Sequence, residues 1–201
     1  MNMMAEQTLL PAWEDGVHAA QATFRTVLHA MASPGSMHAM PVETAAPAPL
    51  TSAAAALMLA LADLDTPVWL DAAASNDAVQ AWLRFHCGCA LIDAHSGAAF
   101  ALITDAAELD LTRFEQGTME YPDRSATLFI QVASLDSGRE YILTGPGIRD
   151  TATLRVEGLP EDFSQRWRRN AAAFPLGVDV VFCCGNRIAA LPRTTQVTEK
   201  T

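Results

Sequence analysis

The stretch Phe114–Ile148, FEQGTMEYPDRSATLFIQVASLDSGREYILTGPGI, decides the reading of the fold. Within it, Ala126–Leu135 is mostly apolar and rich in β-forming residues, with Gln131 as the one strongly polar side chain. Such a run, bounded by turn residues, predicts a strand buried on both faces. Asp136-Ser137-Gly138 predicts a turn and Glu140–Thr144 a returning strand, so the segment reads as a hairpin. The two flanking loops, Gly117–Ser125 and Thr144-Gly145-Pro146-Gly147, would then leave the same end of the sheet. An Arg, several hydroxyls and glycine-exposed backbone N–H groups would share one rim, a chemistry suited to an anion.

Working outward, the chain has 201 residues, half of them hydrophobic, enough to bury a full core in one domain, and a single α/β domain is expected over residues 9–197, the span of the family resemblance given below. Residues 1–8 and 198–201 read as flexible termini. A formal net charge of −10 argues against a nucleic-acid partner. No apolar run is long enough for a membrane span, and the start lacks a signal peptide's basic region. Four cysteines, at 87, 89, 183 and 184, are too few and too clustered for a secreted disulfide framework, so the expected location is the cytoplasm. Lys200 is the sole lysine; the other twelve cations are arginines. A phosphate-cradling P-loop needs Lys after its glycines, and Schiff-base catalysis needs an internal Lys. Any bound anion must therefore be held by Arg, hydroxyls and backbone N–H groups.

Helical periodicity over Ala12–Ala32 ends at Ser33-Pro34-Gly35. Thr51 or Ser52 caps an Ala- and Leu-rich helix running to about Leu64, and Ser75 or Asn76 caps another through Phe85. A last helix is predicted over Pro160–Ala173. Short strands are predicted at Val68–Leu70, Cys89–Ile92, Phe100–Thr104 and Thr153–Val156, and a closing pair at Val178–Cys184 and Ile188–Pro192. Beyond Thr195 the chain reads as a polar tail. Helices alternating with strands early and hairpins late predict a mixed sheet with helices on both faces.

Several segments carry candidate chemistry, each beside a plainer reading. Arg84 and His86 could present donors to an anion, or simply complement the helix dipole. Gly145 and Gly147 could expose amides to a phosphate, or form a tight strand exit. Arg193 and Thr194 could bind an anion, or belong to a solvated tail. Asp123 and Arg124 suit a loop salt bridge. His86 with Cys87-Gly88-Cys89 invites a metal reading, but the spacing is not that of structural zinc sites. No Gly-x-Ser-x-Gly elbow or His-Glu-x-x-His is present. No catalytic residues, cofactor or metal are assigned.

A series of phrases occurs in order along the chain: Phe24-Arg25, Ala30-Met31 with Pro34-Gly35, Asp65-Thr66-Pro67-Val68-Trp69-Leu70, Leu83-Arg84-Phe85-His86, Gly117-Thr118 and Ala126-Thr127-Leu128. It continues with Leu143-Thr144-Gly145-Pro146-Gly147-Ile148, Phe174-Pro175-Leu176-Gly177-Val178-Asp179 and Pro192-Arg193-Thr194-Thr195. The ordered set resembles the PhnH family of the bacterial carbon–phosphorus lyase system for phosphonate utilisation. The resemblance implies a three-layer α/β/α sandwich similar to pyridoxal-phosphate-dependent transferases, a fold this chain would carry without the reactive lysine. It also implies a homodimer in isolation and partnership with PhnG, PhnI, PhnJ and PhnL. That assembly displaces adenine from MgATP with an alkylphosphonate, giving a ribose 1-phosphonate 5-triphosphate. The implied role is an accessory subunit of that step; a self-sufficient enzyme acting on a phosphorylated small molecule and a purely structural scaffold stay open as alternatives. A phosphonate or nucleotide is the implied ligand class, with Arg84, His86, Gly145, Gly147, Arg193 and Thr194 as anion-binding or subunit-contact candidates.

Overall fold

The computed structural model describes residues 13–107 and 109–200; the 1–8 terminus lies outside them. Helix α1 (Gly16–Ala32) starts where the Asp15 carboxylate accepts from the His18 amide at 3.1 Å. Helix α2 (Ser52–Leu61) is capped by the Thr51 hydroxyl, and Ala53–Met58 are all buried. Its alanines let it pack closely between α1 and the large sheet, as its uniform apolarity predicts. Helix α3 (Asp77–His86) is capped by Asn76, which accepts from Val79 at 3.0 Å. Helix α4 (Phe163–Ala172) follows much later in the chain.

Among the described residues, ten strands form two sheets. They are β1 (Met37–Ala39), β2 (Val68–Leu70), β3 (Leu91–Ile92), β4 (Phe100–Ile103), β5 (Thr127–Gln131), β6 (Ser134–Thr144), β7 (Ala152–Glu157), β8 (Asp179–Cys184), β9 (Arg187–Leu191) and β10 (Gln196–Glu199). The larger sheet runs β1-β9-β8-β5-β4-β2-β3 and the smaller β10-β6-β7. Strands β3, β2, β4, β5 and β8 are parallel, whereas β9 and β1 close one edge antiparallel. The expected mixed sheet is present.

The expected central hairpin is not. Strand β5 pairs in parallel with β4 and β8, so both its edges are occupied and none is left for β6. The switch takes two residues: the Val132 amide donates to Cys183 O in the large sheet at 2.9 Å, and the Ala133 amide to Glu157 O in the small sheet at 3.0 Å. Asp136-Ser137-Gly138 is therefore no hairpin turn but an irregularity inside β6, where the register against β7 shifts between Ser134 and Arg139. Gly138 has φ +92°, and a Cβ there would sit 2.5 Å from Val156 O. The residue types that favour a turn also permit a bulge, and local sequence does not separate them.

Side-chain alternation in the large sheet feeds two cores. Leu102, Phe129, Val181, Cys183, Ile188 and Ala190 face the α1–α3 layer, with Ala53–Met58 and Trp82. On the other side, Ile103, Leu128, Ile130, Val180, Phe182 and Leu191 pack with the small sheet's Tyr141, Leu143, Leu154 and Val197 and with Phe163 and Trp167 of α4. The second face is thus covered by a three-stranded sheet together with α4, so helices lie on both faces, but the outer layer there is mixed rather than the purely α layer of an α/β/α sandwich. Gln131, the polar residue in the apolar run, ties the sheet to α2: its Oε1 accepts from the Thr51 amide at 2.5 Å and its Nε2 donates to Pro49 O at 3.0 Å.

The C-terminal segment also departs from expectation. Residues 196–199, read as tail, pair with β6 as β10 and bury Val197, and Lys200 donates to the Glu140 carboxylate at 2.5 Å. Among the described residues no helix is long and apolar enough to cross a membrane.

Candidate functional site

In a parallel sheet the chain leaves each strand at its carboxyl end, and a crevice opens where neighbouring strands send their connections in opposite directions. Here β2 leads through α3 to β3 on one side, whereas β4 leads to β5 on the other. The crevice therefore lies between the ends of β2 and β4. Asp71, directly after β2, holds its two lips together. Its carboxylate accepts from the amides of Ala74 (2.8 Å), Thr104 (2.6 Å) and Asp105 (3.1 Å) and from the Thr104 hydroxyl (2.9 Å). That leaves Asp71 a structural acceptor, fully engaged.

Beyond it opens a cleft of about 400 Å³, lined on its apolar side by Trp69, Ile103, Leu109 and Phe114. Trp69 is stacked on His95 with centroids 4.3 Å apart and 29° between planes, and Phe114 meets both edge-on at 5.5 and 5.1 Å. The Trp69 indole N–H donates to Asp93 O at 3.2 Å, which fixes the ring. Asp105, Asp110 and Arg113 supply the polar side. Asp110 caps the 3-10 turn Leu111–Arg113, accepting from the Thr112 hydroxyl at 2.7 Å and its amide at 3.0 Å; those bonds hold its carboxyl below the usual range and hence ionised. Burial, helped by the nearby Arg113 cation, lowers the His95 pKa, so this imidazole is neutral at pH 7.

The residues nominated by sequence fall elsewhere, in two groups. Arg84 and His86 end α3 at the β3 edge. Arg84 is exposed and donates to Gln80 Oε1 at 3.2 Å, and His86 contacts the rings of Trp82 and Phe85. Phe85 is exposed, as is Leu64, which lies against the Gly88 turn just after the helix.

The second group gathers at the amino ends of β5 and β8. Arg193 Nε donates to Asp179 Oδ1 at 3.2 Å, and Nη1 to the carbonyls of Pro122 (2.9 Å) and Pro175 (3.3 Å). Nη2 donates to Asp179 Oδ2 at 2.5 Å and to Ser125 Oγ. All five guanidinium N–H groups are engaged. Gly145 lies beside Thr194 O, and Gly147, at φ +82°, lies where a Cβ would strike Ala32 O. The two loops expected to share a rim are not joined through a hairpin; each touches the 193–195 segment, the first through Arg193 and the second through Gly145 beside Thr194 O. Strands β3 and β8 are separated by β2, β4 and β5, about 19 Å across the sheet. The six nominated residues do not form one site.

Sequence reading missed the cleft because its lining comes from three connections distant along the chain. The available signal was an Asp just past each of two short parallel strands, Leu70-Asp71 and Thr104-Asp105. As for metal, no three His, Cys, Asp or Glu side chains among the described residues converge on one point. The four cysteines are free thiols; Cys183 is fully buried, and burial raises its pKa.

Comparison with known proteins agrees with the resemblance in the sequence. Residues 11–198 match the family profile described as bacterial phosphonate metabolism protein (PhnH). A Rhizobium meliloti (strain 1021) protein, the alpha-D-ribose 1-methylphosphonate 5-triphosphate synthase subunit PhnH, is 38% identical over 92% of this chain and 94% of its own length. A putative C-P lyase subunit protein HtxG of Stutzerimonas stutzeri is 41% identical over 42% of the chain and 43% of its own length. With a match running almost end to end, the chain belongs to the PhnH family of bacterial phosphonate metabolism proteins.

Proposed function

We propose that this chain is an accessory subunit of a ribose 1-methylphosphonate 5-triphosphate synthase. In that assembly it supports displacement of adenine from MgATP by an alkylphosphonate. The observation that carries the reading is the match to a synthase subunit over nearly the full length of both chains. The polar groups fit a supporting role. Arg193 is engaged internally, the one lysine is paired with Glu140 at the end of β10, and Cys183 is sealed in the core.

The exposed end of α3, with Arg84, Phe85 and His86 beside Leu64, is the surface proposed to meet another subunit of the PhnG, PhnI, PhnJ and PhnL set. It combines apolar area with a cation, a composition common in interface cores. Gly145, Gly147, Arg193 and Thr194 shape and hold the loops at the amino ends of β5 and β8. Self-association as a homodimer and a cytoplasmic location belong to the same proposal.

The test is adenine release from ATP and methylphosphonate by purified components, with and without this chain. Omission is expected to abolish release, and an Arg84→Glu/Phe85→Asp variant, folded normally, is expected to lose co-purification with its partners. Unchanged adenine release without the chain refutes the role.

A further inference from the structure

The cleft between β2 and β4 leaves a distinctive set of groups available. The apolar side is an aromatic trio, Trp69, His95 and Phe114, over Ile103 and Leu109. On the polar side, Asp105 Oδ1 accepts from the Ala107 amide and Asp110 Oδ1 from Thr112, but neither Oδ2 takes a hydrogen bond from any described residue. The guanidinium of Arg113 likewise forms no hydrogen bond with a described residue, and it lies exposed at the rim. Three carboxylates against one guanidinium give the cleft a negative potential, and the open Oδ2 atoms of Asp105 and Asp110 give it acceptors to spare. A small anion such as phosphate or a phosphonate is repelled by that balance. A flat ring bearing N–H donors satisfies it, because rings of every kind stack on aromatic walls and carboxylates accept strongly from N–H groups. The volume, about 400 Å³, suits one such ligand of modest size.

We propose that this cleft binds an aminated nitrogen heteroaromatic ring of the aminopurine type. The ring lies against the Trp69–His95–Phe114 wall and donates its N–H groups to Asp105 and Asp110. Arg113 at the rim meets any anionic tail the ring carries. The assignment rests on the cleft alone and not on the synthase role, so it is read on the isolated chain.

Titration calorimetry with adenine, adenosine monophosphate, hypoxanthine and methylphosphonate tests it. Adenine is expected to bind, and hypoxanthine, in which a carbonyl replaces the exocyclic amine, about tenfold more weakly, the discrimination of one good hydrogen bond to a charged group. Tighter binding of the monophosphate than of adenine, lost in Arg113→Ala, identifies a nucleotide as the ligand; equal binding identifies the free base. Asp110→Asn keeps the 3-10 cap and removes the charge, and is expected to weaken adenine about tenfold. Trp69→Ala is expected to abolish binding, and Trp69→Phe to restore it. Should Trp69→Ala fail to fold, the Asp110→Asn and Asp105→Asn variants, both at solvent-accessible positions, carry the test. The proposal is overturned if neither adenine nor the monophosphate binds at about 10 mM. It is equally overturned if binding ignores both Asp variants, or if methylphosphonate binds as tightly as adenine.

Discussion

Removing the Arg193 side chain should unfold this protein's β5–β8 end before it disturbs any ligand. Arg193 and Asp179 side chains are only 13% and 16% exposed, so water screens their 2.5 Å contact little. Arg193→Ala deletes five donors at once. It leaves the Asp179 carboxylate with only the Arg193 backbone amide, at 2.8 Å, and strands the carbonyls of Pro122 and Pro175 and the Ser125 hydroxyl. Breaking one partner of a largely buried ion pair costs about 3–5 kcal/mol. For a domain of this size that is a fall of roughly 10 °C in Tm. Arg193→Lys keeps the charge but cannot span four acceptors, and should lose about 2 kcal/mol. The assay is urea unfolding of Arg193→Ala, Asp179→Asn and the double variant. The expected coupling is about 2 kcal/mol, with the double variant less destabilised than the sum of the singles. If Arg193→Ala instead unfolds within about 0.5 kcal/mol of the parent at the same m-value, the clamp is not structural. Loss of adenine release in such a stable variant would make Arg193 an anion-binding group.

Gly147→Ala combines a left-handed backbone with a Cβ directed at Ala32 O, and should cost about 2–4 kcal/mol in the same unfolding assay. Burial pushes the Tyr141 phenol up to about 12 from 10, with Glu199 adding and Arg139 opposing. Because the folded value is the higher one, this contribution to stability is complete below pH 10 and lost as pH rises through 12. A Tyr121→Phe protein, in which Tyr141 is the one remaining tyrosine, should show the phenolate absorbance rising near pH 12, and a midpoint near 10 in the folded protein contradicts the burial. Deleting residues 196–201 removes buried Val197 and bares the β6 edge. The truncated chain should lose about 2 kcal/mol or more and aggregate in light scattering, and unchanged stability would mean β10 is dispensable.

What the sequence determined by itself was local. Helix starts at Thr51 or Ser52 and at Ser75 or Asn76, the apolar run of β5, the closing β8–β9 pair and the mixed sheet follow from side-chain periodicity and capping chemistry that act over a few residues. The ordered phrases, Asp65–Leu70 and Pro192–Thr195 among them, identified the family. Only the tertiary structure decided which strands pair. Asp136-Ser137-Gly138 forms a bulge because β5 has both edges occupied by β4 and β8, a fact about strands some 25 to 50 residues away. The same holds for the tail that becomes β10, and for Arg193, whose guanidinium faces acceptors from two other segments, 122–125 and 175–179. The cleft at Trp69, Asp71, Asp105 and Asp110 is the extreme case. It exists because two parallel strands send their connections in opposite directions, and strand order in a sheet is set by long-range pairing, which no local window of sequence encodes.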